Sequence, residues 1–557
     1  MKIIRIATRN SPLALWQANY VRDALLDVHK QVQVELVPMT TRGDQLLDRS
    51  LSAVGGKGLF LKELQTSLLS GDADIAVHSM KDVPVSLPDG LEIPVVMRRE
   101  DPRDAFVSNR YQNLHALPDG SRVGTSSLRR VSQLKHAFPN LEFLELRGNV
   151  NTRLKKLDEQ EFDAIILAAA GLIRLGLVER IKQCLSPAFC IPAVGQGIVG
   201  IECRRDDADI KRIIAPLNDK NSELVLSAER ALNQGLQGGC SVPIAGFAEF
   251  DAGKLMLSAM VGEPDGSRVL KVSRVQDSAE LKDAVILGRT LATQLLDQGA
   301  AKILSALHGA KSSNKPAVLL TRQYHLLGNM PAILQRLDFN AVHVPTLDVV
   351  ATEPVAEELA NIKSYSDVVF VSRNAVNIAM NILNEAGGIP NNVKAMTVGE
   401  ETAKHLHEYG VEALFPSSGV GAKALLDVEQ LKDLSGRKIL VIRGQRGLDW
   451  PAEEMRQRGA QVDQAVCYRQ FVPDYSQQTL HDALEQMPNL HCVFAHSVDS
   501  LKNLLAIAGD QIEVIRASML VAGSANIENT AREFGWAGKI KRAQSPSNKD
   551  MLLAFSA

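Results

Sequence analysis

The residues best able to do chemistry are cations at the ends of strand-like runs. Arg9 closes the first such run, and Ser11 follows it at a helix start. Thr125-Ser126-Ser127-Leu128-Arg129-Arg130 opens another helix. Free N–H groups, hydroxyls and guanidinium groups at that point make a natural anion site. Arg147 ends a strand in Leu146-Arg147-Gly148-Asn149, Arg153 lies in the segment after it, and Arg174 follows a further strand and turn. Ligands of open α/β sheets bind outside the strand ends, and guanidinium groups suit carboxylates bidentately. One such arginine alone is an ordinary solvated side chain. The whole set points to a polyanionic ligand.

Lys81-Asp82 stands just after the buried run Ile75 to Val77. The pair offers a cation for substrate anions and a carboxylate for acid/base work or for stabilising a cation. It also suits a plain surface ion pair. Gln237-Gly238-Gly239-Cys240 places a cysteine after two glycines. That context allows a reactive or covalently modified thiol, and equally a packed, inert one. Gly55-Gly56-Lys57-Gly58 lacks the first glycine and the magnesium-binding hydroxyl of a phosphate loop. It reads as a glycine-rich loop with Lys57 available to an anion. Gly195-Gln196-Gly197-Ile198-Val199-Gly200 matches a dinucleotide fingerprint literally, but no clear amphipathic helix follows, so tight turns are expected. His405 with His407, and His491 with Cys492 and His496, lack a second half at zinc spacing. No metal is expected.

Short apolar runs alternating with amphipathic stretches position these groups. Strands are expected at Ile3 to Ala7, Val34 to Pro38, Ile75 to Val77, Phe143 to Leu146 and Ala164 to Ala168. Ser11 and Pro12 start a helix with Leu13, Trp16, Val21 and Leu25 inward. This βαβ rhythm predicts α/β domains with parallel or mixed sheets. From Ala245 three consecutive strands and a helix, Ala279 to Leu296, predict a small α+β unit. The small, polar run 309–315 before Pro316 reads as a linker. The strand–helix pattern then restarts.

A chain of 557 residues predicts several domains. It is 45% hydrophobic and 23% charged, which excludes disordered and collagen-like classes. A net charge of -2 and 4% aromatic content give no case for nucleic-acid binding. There is no signal-peptide pattern, no apolar run of the ~18 residues a membrane span needs, and no CxxC pair among six cysteines. A reduced, cytoplasmic protein is expected, and a monomer.

Together the motifs of residues 1–308 resemble the porphobilinogen deaminase (hydroxymethylbilane synthase) family. They are RIATRNSPLALWQA, VGGKGLF, ADIAVHSMKDVP, EDPRDAFVS, VGTSSLRR, LRGNVNTRL, AIILAAAGLIRLGL, PAVGQG and GGCSVPI, in order. The resemblance implies a dipyrromethane cofactor on Cys240, with no metal or nucleotide. It puts the catalytic carboxylate on Asp82, beside Lys81. It puts carboxylate-binding groups on Arg9, Ser11, Lys81, Ser127, Arg129, Arg130, Arg147, Arg153 and Arg174, with Lys57 in a loop at the active site. Substrate arms are acetate and propionate, so many cations suit the growing chain. Loss of ammonia leaves an electron-poor azafulvene, which a carboxylate can stabilise.

Residues 316–557 resemble uroporphyrinogen-III synthase through VLLTR, VVFVSRNAV, VGEETAKHLHEYG, GRKILVIRG, GAQVDQAVCYR and TAREFGW. The resemblance implies cyclisation of hydroxymethylbilane with inversion of its last ring. Tyr468 matches a cleft tyrosine of that family, and Ser372, Arg373 and Thr402 are carboxylate contacts by analogy. Phe494-Ala495-His496-Ser497 and Gly523-Ser524-Ala525-Asn526 depart from the family pattern. They keep open a deaminase joined to a catalytically impaired scaffold. A two-lobed anion-binding protein is a further alternative, though it has no use for Cys240.

The implied fold is a multidomain α/β chain. Two periplasmic-binding-protein-like α/β lobes, 1–97 with 198–215 and 98–197, precede a small α+β domain, 216–308, carrying the cofactor cysteine. After the linker comes a two-lobed α/β synthase, 316–350 with 472–557 and 351–471.

Overall fold

The computed structural model describes residues 2–41, 61–84, 87–236, 238, 242–277, 280–304, 315–352, 359–385, 388–419, 421–446, 449–474, 476–486 and 489–557. Lys57, Cys240 and linker residues 309–314 lie outside them. The chain forms two compact units that change over between Leu307 and His308.

Two five-stranded sheets and one three-stranded sheet build the first unit. The first sheet runs Val32–Met39, Lys2–Arg9, Ile75–Ser79, Val199–Arg204, Leu91–Val96. Its first three strands are parallel, and Val199–Arg204 is antiparallel to both its neighbours. The helix Pro12–Val28 starts where Ser11 Oγ accepts from the Ala14 N–H at 3.4 Å, with proline in the first turn. It buries Ala18, Val21 and Leu25 against the sheet. Leu13 and Trp16, expected inward, are only half-buried. Trp16 instead stacks on Tyr20 at 5.3 Å.

The second sheet runs Glu142–Leu144, Arg122–Gly124, Ala164–Ala168, Asp104–Val107, Gln183–Leu185. The chain therefore crosses between these sheets twice, at 97–103 and 186–198. One buried ion pair ties both crossings to the third sheet. Arg99 lies in the first crossing and donates to the Gln196 carbonyl of the second at 2.9 Å. It also donates to Glu229 Oε1 at 2.7 Å. Glu229 accepts in turn from the Gly195 and Ala248 N–H groups at 2.6 and 2.8 Å.

The third sheet is the antiparallel meander Ile244–Asp251, Lys254–Gly262, Val269–Gln276. Helices Lys220–Gly235 and Leu281–Leu295 pack together beside it. Gly288 permits their close approach: a Cβ there would stand 2.2 Å from the Ala228 carbonyl oxygen.

The second unit holds two sheets. One is wholly parallel: Asn340–His343, Ala317–Leu320, Leu490–Ala495, Met519–Ala522, Ile540–Arg542. The other runs Asp348–Ala351, Gln461–Phe471, Lys438–Gly444, Asp367–Phe370, Lys394–Thr397, Ala413–Leu414, with only the first strand antiparallel. Ala317–Leu320 and Asp367–Phe370 are buried throughout, as strands covered on both faces are. The expected lobe boundary at 350/351 cuts the strand Asp348–Ala351. Its pairing with Gln461–Phe471 puts the whole strand in the second sheet.

Candidate active sites

In the first unit, Ile75–Ser79 runs into a single tight turn, Met80–Asp82. The buried Met80 donates its N–H to the Ile198 carbonyl at 3.0 Å. A Cβ at Gly200 would stand 2.2 Å from Met80 Sδ, and one at Gly195 would stand 3.0 Å from the Met80 carbonyl carbon. Gly195 and Gly197 have φ of 71° and 87°. The glycine pattern thus makes tight turns and room for the segment bearing Lys81 and Asp82.

A cleft of about 540 Å³, part of it open to solvent, lies beside this turn. Lys81, Arg130, Arg153 and Arg174 line it, with Ser79 and Leu13, and no carboxylate is among the lining residues. Lys81 is half-buried and makes no hydrogen bond or ion pair among the described residues. Burial pushes its ammonium below the ordinary value; Asp82 opposes this and Arg130 adds to it. Burial, with Arg130 and Arg147 adding, brings the Arg153 guanidinium down to about 10, so it stays charged at neutral pH. Arg153 Nε donates to the Gly148 carbonyl at 2.8 Å. Arg174 Nη2 donates to the Gly197 carbonyl at 2.7 Å, and its guanidinium lies 5.5 Å from the Trp16 ring centre.

Asp104 organises the middle of this cluster, and the sequence reading gave it no role. It is fully buried and accepts from Arg129 Nη1 at 2.7 Å and from Arg130 Nη2 at 2.8 Å. Burial opposes its charge, but the two guanidinium groups override this and hold the carboxyl well below the usual range. One carboxylate against two guanidinium groups leaves a net positive charge. Arg130 reaches the cleft, whereas Arg129 also donates to the Ile191 carbonyl and does not line it. Asp104 opens the strand Asp104–Val107, and in EDPRDAFVS nothing sets it apart from Glu100 and Asp101.

The other expected groups are not among the residues that line the cleft. Asp82 is exposed. Ser127 is the N-cap of Leu128–Ala137, and its hydroxyl makes no capping bond. Arg147 is half-buried and ion-paired with Glu145. Arg9 ends the first strand and Ser11 caps the first helix; neither lines the cleft.

In the second unit, Tyr468 is buried on Gln461–Phe471, with its ring against Gly444. A Cβ at Gly444 would come within 2.4 Å of that ring. The phenol shares a 3.1 Å hydrogen bond with Ser372 Oγ, which also accepts from the Ala375 N–H. Burial pushes the phenol up, so it remains a proton donor. Arg373 follows as the first residue of Arg373–Glu385. Thr402 is buried in the first turn of Glu400–His407. Both departing segments make sound helix starts: Ser497 forms a capping box, and Ser524 accepts from the Ile527 N–H at 3.4 Å.

Fold and site together are those of an α/β chain of several sheets whose strand ends and helix starts gather cations around a cleft. Residues 4–212 match the family model described as porphobilinogen deaminase, dipyromethane cofactor binding domain. Residues 224–297 match porphobilinogen deaminase, C-terminal domain, and 329–552 match uroporphyrinogen-III synthase HemD. The chain belongs to the porphobilinogen deaminase family in its first half and to the uroporphyrinogen-III synthase family in its second.

Among solved structures, uroporphyrinogen-III synthetase from Helicobacter pylori is 16% identical, with a TM-score of 0.31, over 43% of this chain and 99% of that one. A mutant uroporphyrinogen III synthase from Thermus thermophilus is 16% identical, with a TM-score of 0.33, over 43% and 97%. A putative methionine-binding lipoprotein from Bacillus subtilis is also 16% identical, with a TM-score of 0.27, over 40% and 92%.

The chain is thus a bifunctional enzyme of haem biosynthesis. Its first activity polymerises porphobilinogen to hydroxymethylbilane with release of ammonia, using a dipyrromethane cofactor. Its second cyclises that product to uroporphyrinogen III. Among the described residues no cluster of three His, Cys, Asp or Glu could hold a metal, and no helix is long and apolar enough to cross a membrane.

Proposed function

We propose that the cleft beside Met80–Asp82 is the deaminase site. The observation that carries this reading is the convergence of Lys81, Arg130, Arg153 and Arg174 on a cleft without a lining carboxylate, next to the exposed Asp82. That donor set fits a dipyrromethane, whose side arms are carboxylates. Cys240 is the proposed attachment point, carried by the GGCSVPI motif. When bound, the cofactor supplies the free pyrrole carbon from which the chain is extended.

The protein's own groups then divide the work. Arg130, Arg153 and Arg174 hold carboxylate arms and keep successive rings in place. Lys81 neutralises an arm near the reacting centre. Asp82 faces the positive charge that develops as the aminomethyl group of porphobilinogen loses ammonia, and a fixed carboxylate stabilises it. Arg9, Ser11, Lys57, Ser127 and Arg147 extend the anion-binding surface, with Arg129 supporting it through Asp104.

In the second unit, Tyr468 donates its phenolic proton to the departing hydroxyl of hydroxymethylbilane. Ser372 orients that phenol, while Arg373 and Thr402 contact substrate carboxylates. The two five-stranded sheets of the first unit act as paired lobes of the periplasmic-binding-protein kind, with Arg99–Glu229 as the tie at their crossings, and the two sheets of the second unit act as a further pair. The reading includes a cytoplasmic monomer.

Mass spectrometry of the purified chain tests the cofactor assignment: a dipyrromethane adduct on the Cys240 peptide is expected, and an unmodified peptide in active enzyme overturns it. Incubation with porphobilinogen, oxidation and separation of the uroporphyrin isomers tests the pair of activities. Mostly isomer III is expected. Mostly isomer I would remove the second activity and leave the first.

A further inference from the structure

His496 follows the strand Leu490–Ala495 in the second unit, and the reaction outlined above does not use it. Both its ring nitrogens are shut off from solvent, and among the described residues the Asn548 side chain is the polar group that meets the ring. A buried polar ring has two nitrogens to satisfy, and one neutral neighbour replaces only part of the water it loses. It is also surrounded by cations. The register Leu320↔Phe494 between parallel strands sets Arg322 and His496 side by side beyond the same sheet edge. Arg373 comes from the other sheet's first helix. Burial first, then Arg322 and Arg373, press the imidazole well below its ordinary value, so the ring is neutral with one N–H to give.

The two arginines are under-used as well. Arg322 gives Nη1 to the Pro546 carbonyl at 3.1 Å and to Asn548 Oδ1 at 2.9 Å; its Nε and Nη2 have no partner among the described residues. Arg373 makes no hydrogen bond or ion pair among them. Burial, with Arg373 adding, brings Arg322 down to about 9. The acids facing this group are Glu401, which acts on both arginines, and Glu408, which acts on Arg373. Glu401 is largely exposed beside Lys404, and Glu408 accepts from His405. Asn548 gives its amide N–H groups to the Leu326 and Leu327 carbonyls, and its Oδ1, which already accepts from Arg322, is the neutral acceptor that His496 meets. Two desolvated guanidinium groups and a neutral N–H donor therefore lack a buried anion.

We propose that Arg322, Arg373 and His496 form one carboxylate site, and that it receives an acetate or propionate arm of the linear tetrapyrrole. The assignment rests on the reading of this unit as the synthase. The arginines supply the charge and the fork, and His496 adds a hydrogen bond from the floor of the site. A carboxylate bound there restores the missing counter-charge.

The test uses the full chain with supplied hydroxymethylbilane, reading KM, kcat and isomer ratio. His496→Leu and Arg322→Met each raise KM about tenfold, the scale of one lost charge-assisted hydrogen bond, with kcat within about threefold. His496→Gln keeps a donor and stays near the parent KM. Added salt raises the parent KM more steeply than that of Arg322→Met, because a screened charge pair has been removed. An unchanged KM in both His496→Leu and Arg322→Met overturns the proposal. If His496→Leu does not fold, Arg322→Lys decides: it keeps the charge and loses the fork, so KM rises, and an unchanged KM overturns the proposal. A parent enzyme that yields only isomer I overturns the synthase reading itself, a result distinct from any change among the variants.

Discussion

The two candidate sites present their cations in different ways. In the first unit the cations are built into the protein: Arg129 and Arg130 share the buried Asp104, Arg174 is fixed to the Gly197 carbonyl, and Arg153 to the Gly148 carbonyl. In the second unit Arg322 is held by the Pro546 carbonyl and Asn548, Arg373 makes no hydrogen bond or ion pair among the described residues, and Tyr468 shares a neutral hydrogen bond with Ser372. The chemistry explains the contrast. A chain that is lengthened ring by ring has to be gripped through several cycles by groups that do not move. A single ring closure needs the ligand folded correctly and a proton delivered once, so not every cation has to be fixed in advance.

The sharpest way to break this contrast is to remove the anchor. Asp104→Ala leaves two buried guanidinium groups facing each other, and uncompensated buried charge costs about 3–5 kcal/mol. The first unit's calorimetric transition should fall markedly while the second unit's stays in place. Deaminase activity should be lost and cyclisation of supplied hydroxymethylbilane kept. The pH dependence has a definite sign. Because the folded carboxyl is held below its unfolded value of 3.8, its contribution is complete above about pH 4 and fades as pH falls through the lower folded value. Asp104→Asn should flatten the acid limb of the first unit's unfolding. A variant with parental stability and an unchanged acid limb would mean that Asp104 is no anchor.

Next in size is Asp82→Asn. Asp82 is exposed and has no hydrogen bond or ion pair among the described residues, so its loss should leave the melting temperature within a degree or two. Porphobilinogen consumption should fall about 100-fold, the scale of one lost transition-state contact. A fall of less than about threefold would move the cation-stabilising role to another group. The two aspartate variants would separate what the first cleft's charges do, with Asp104 expected to hold the fold and Asp82 to meet the substrate.

The sequence made some of this readable and hid the rest for physical reasons. Ala164–Ala168 was readable to the residue because a strand buried along nearly its whole length is an uninterrupted apolar run. Lys81, Arg130, Arg153 and Arg174 were readable as strand-end or helix-start cations, and all four line one cleft. Asp104 and Glu229 were not, because their partners are 25 and 130 residues away and pairing at that range leaves no periodicity. Leu13 and Trp16 carry the same apolar signal whether they meet the core or a ligand cleft, so the pattern sent both inward. The edge strand Asp348–Ala351 is short and half-exposed, and which sheet it joins is decided by Gln461–Phe471, over a hundred residues later.

The smallest effect is expected at Tyr468, and it sharpens the comparison most directly. Tyr468→Phe keeps the ring that packs on Gly444 and deletes only the phenol that meets Ser372. One such hydrogen bond is worth about 1 kcal/mol net, so the melting temperature of the second unit should hardly move. Cyclisation should slow about five- to tenfold, because the proton donor goes with the hydroxyl. Unassisted closure of the linear product then competes, and the share of isomer I should rise at unchanged porphobilinogen consumption. Parental rate and isomer ratio together would reduce Tyr468 to a strand residue. A loss as deep as that at Asp82 would mean that the second site depends on one group as heavily as the first.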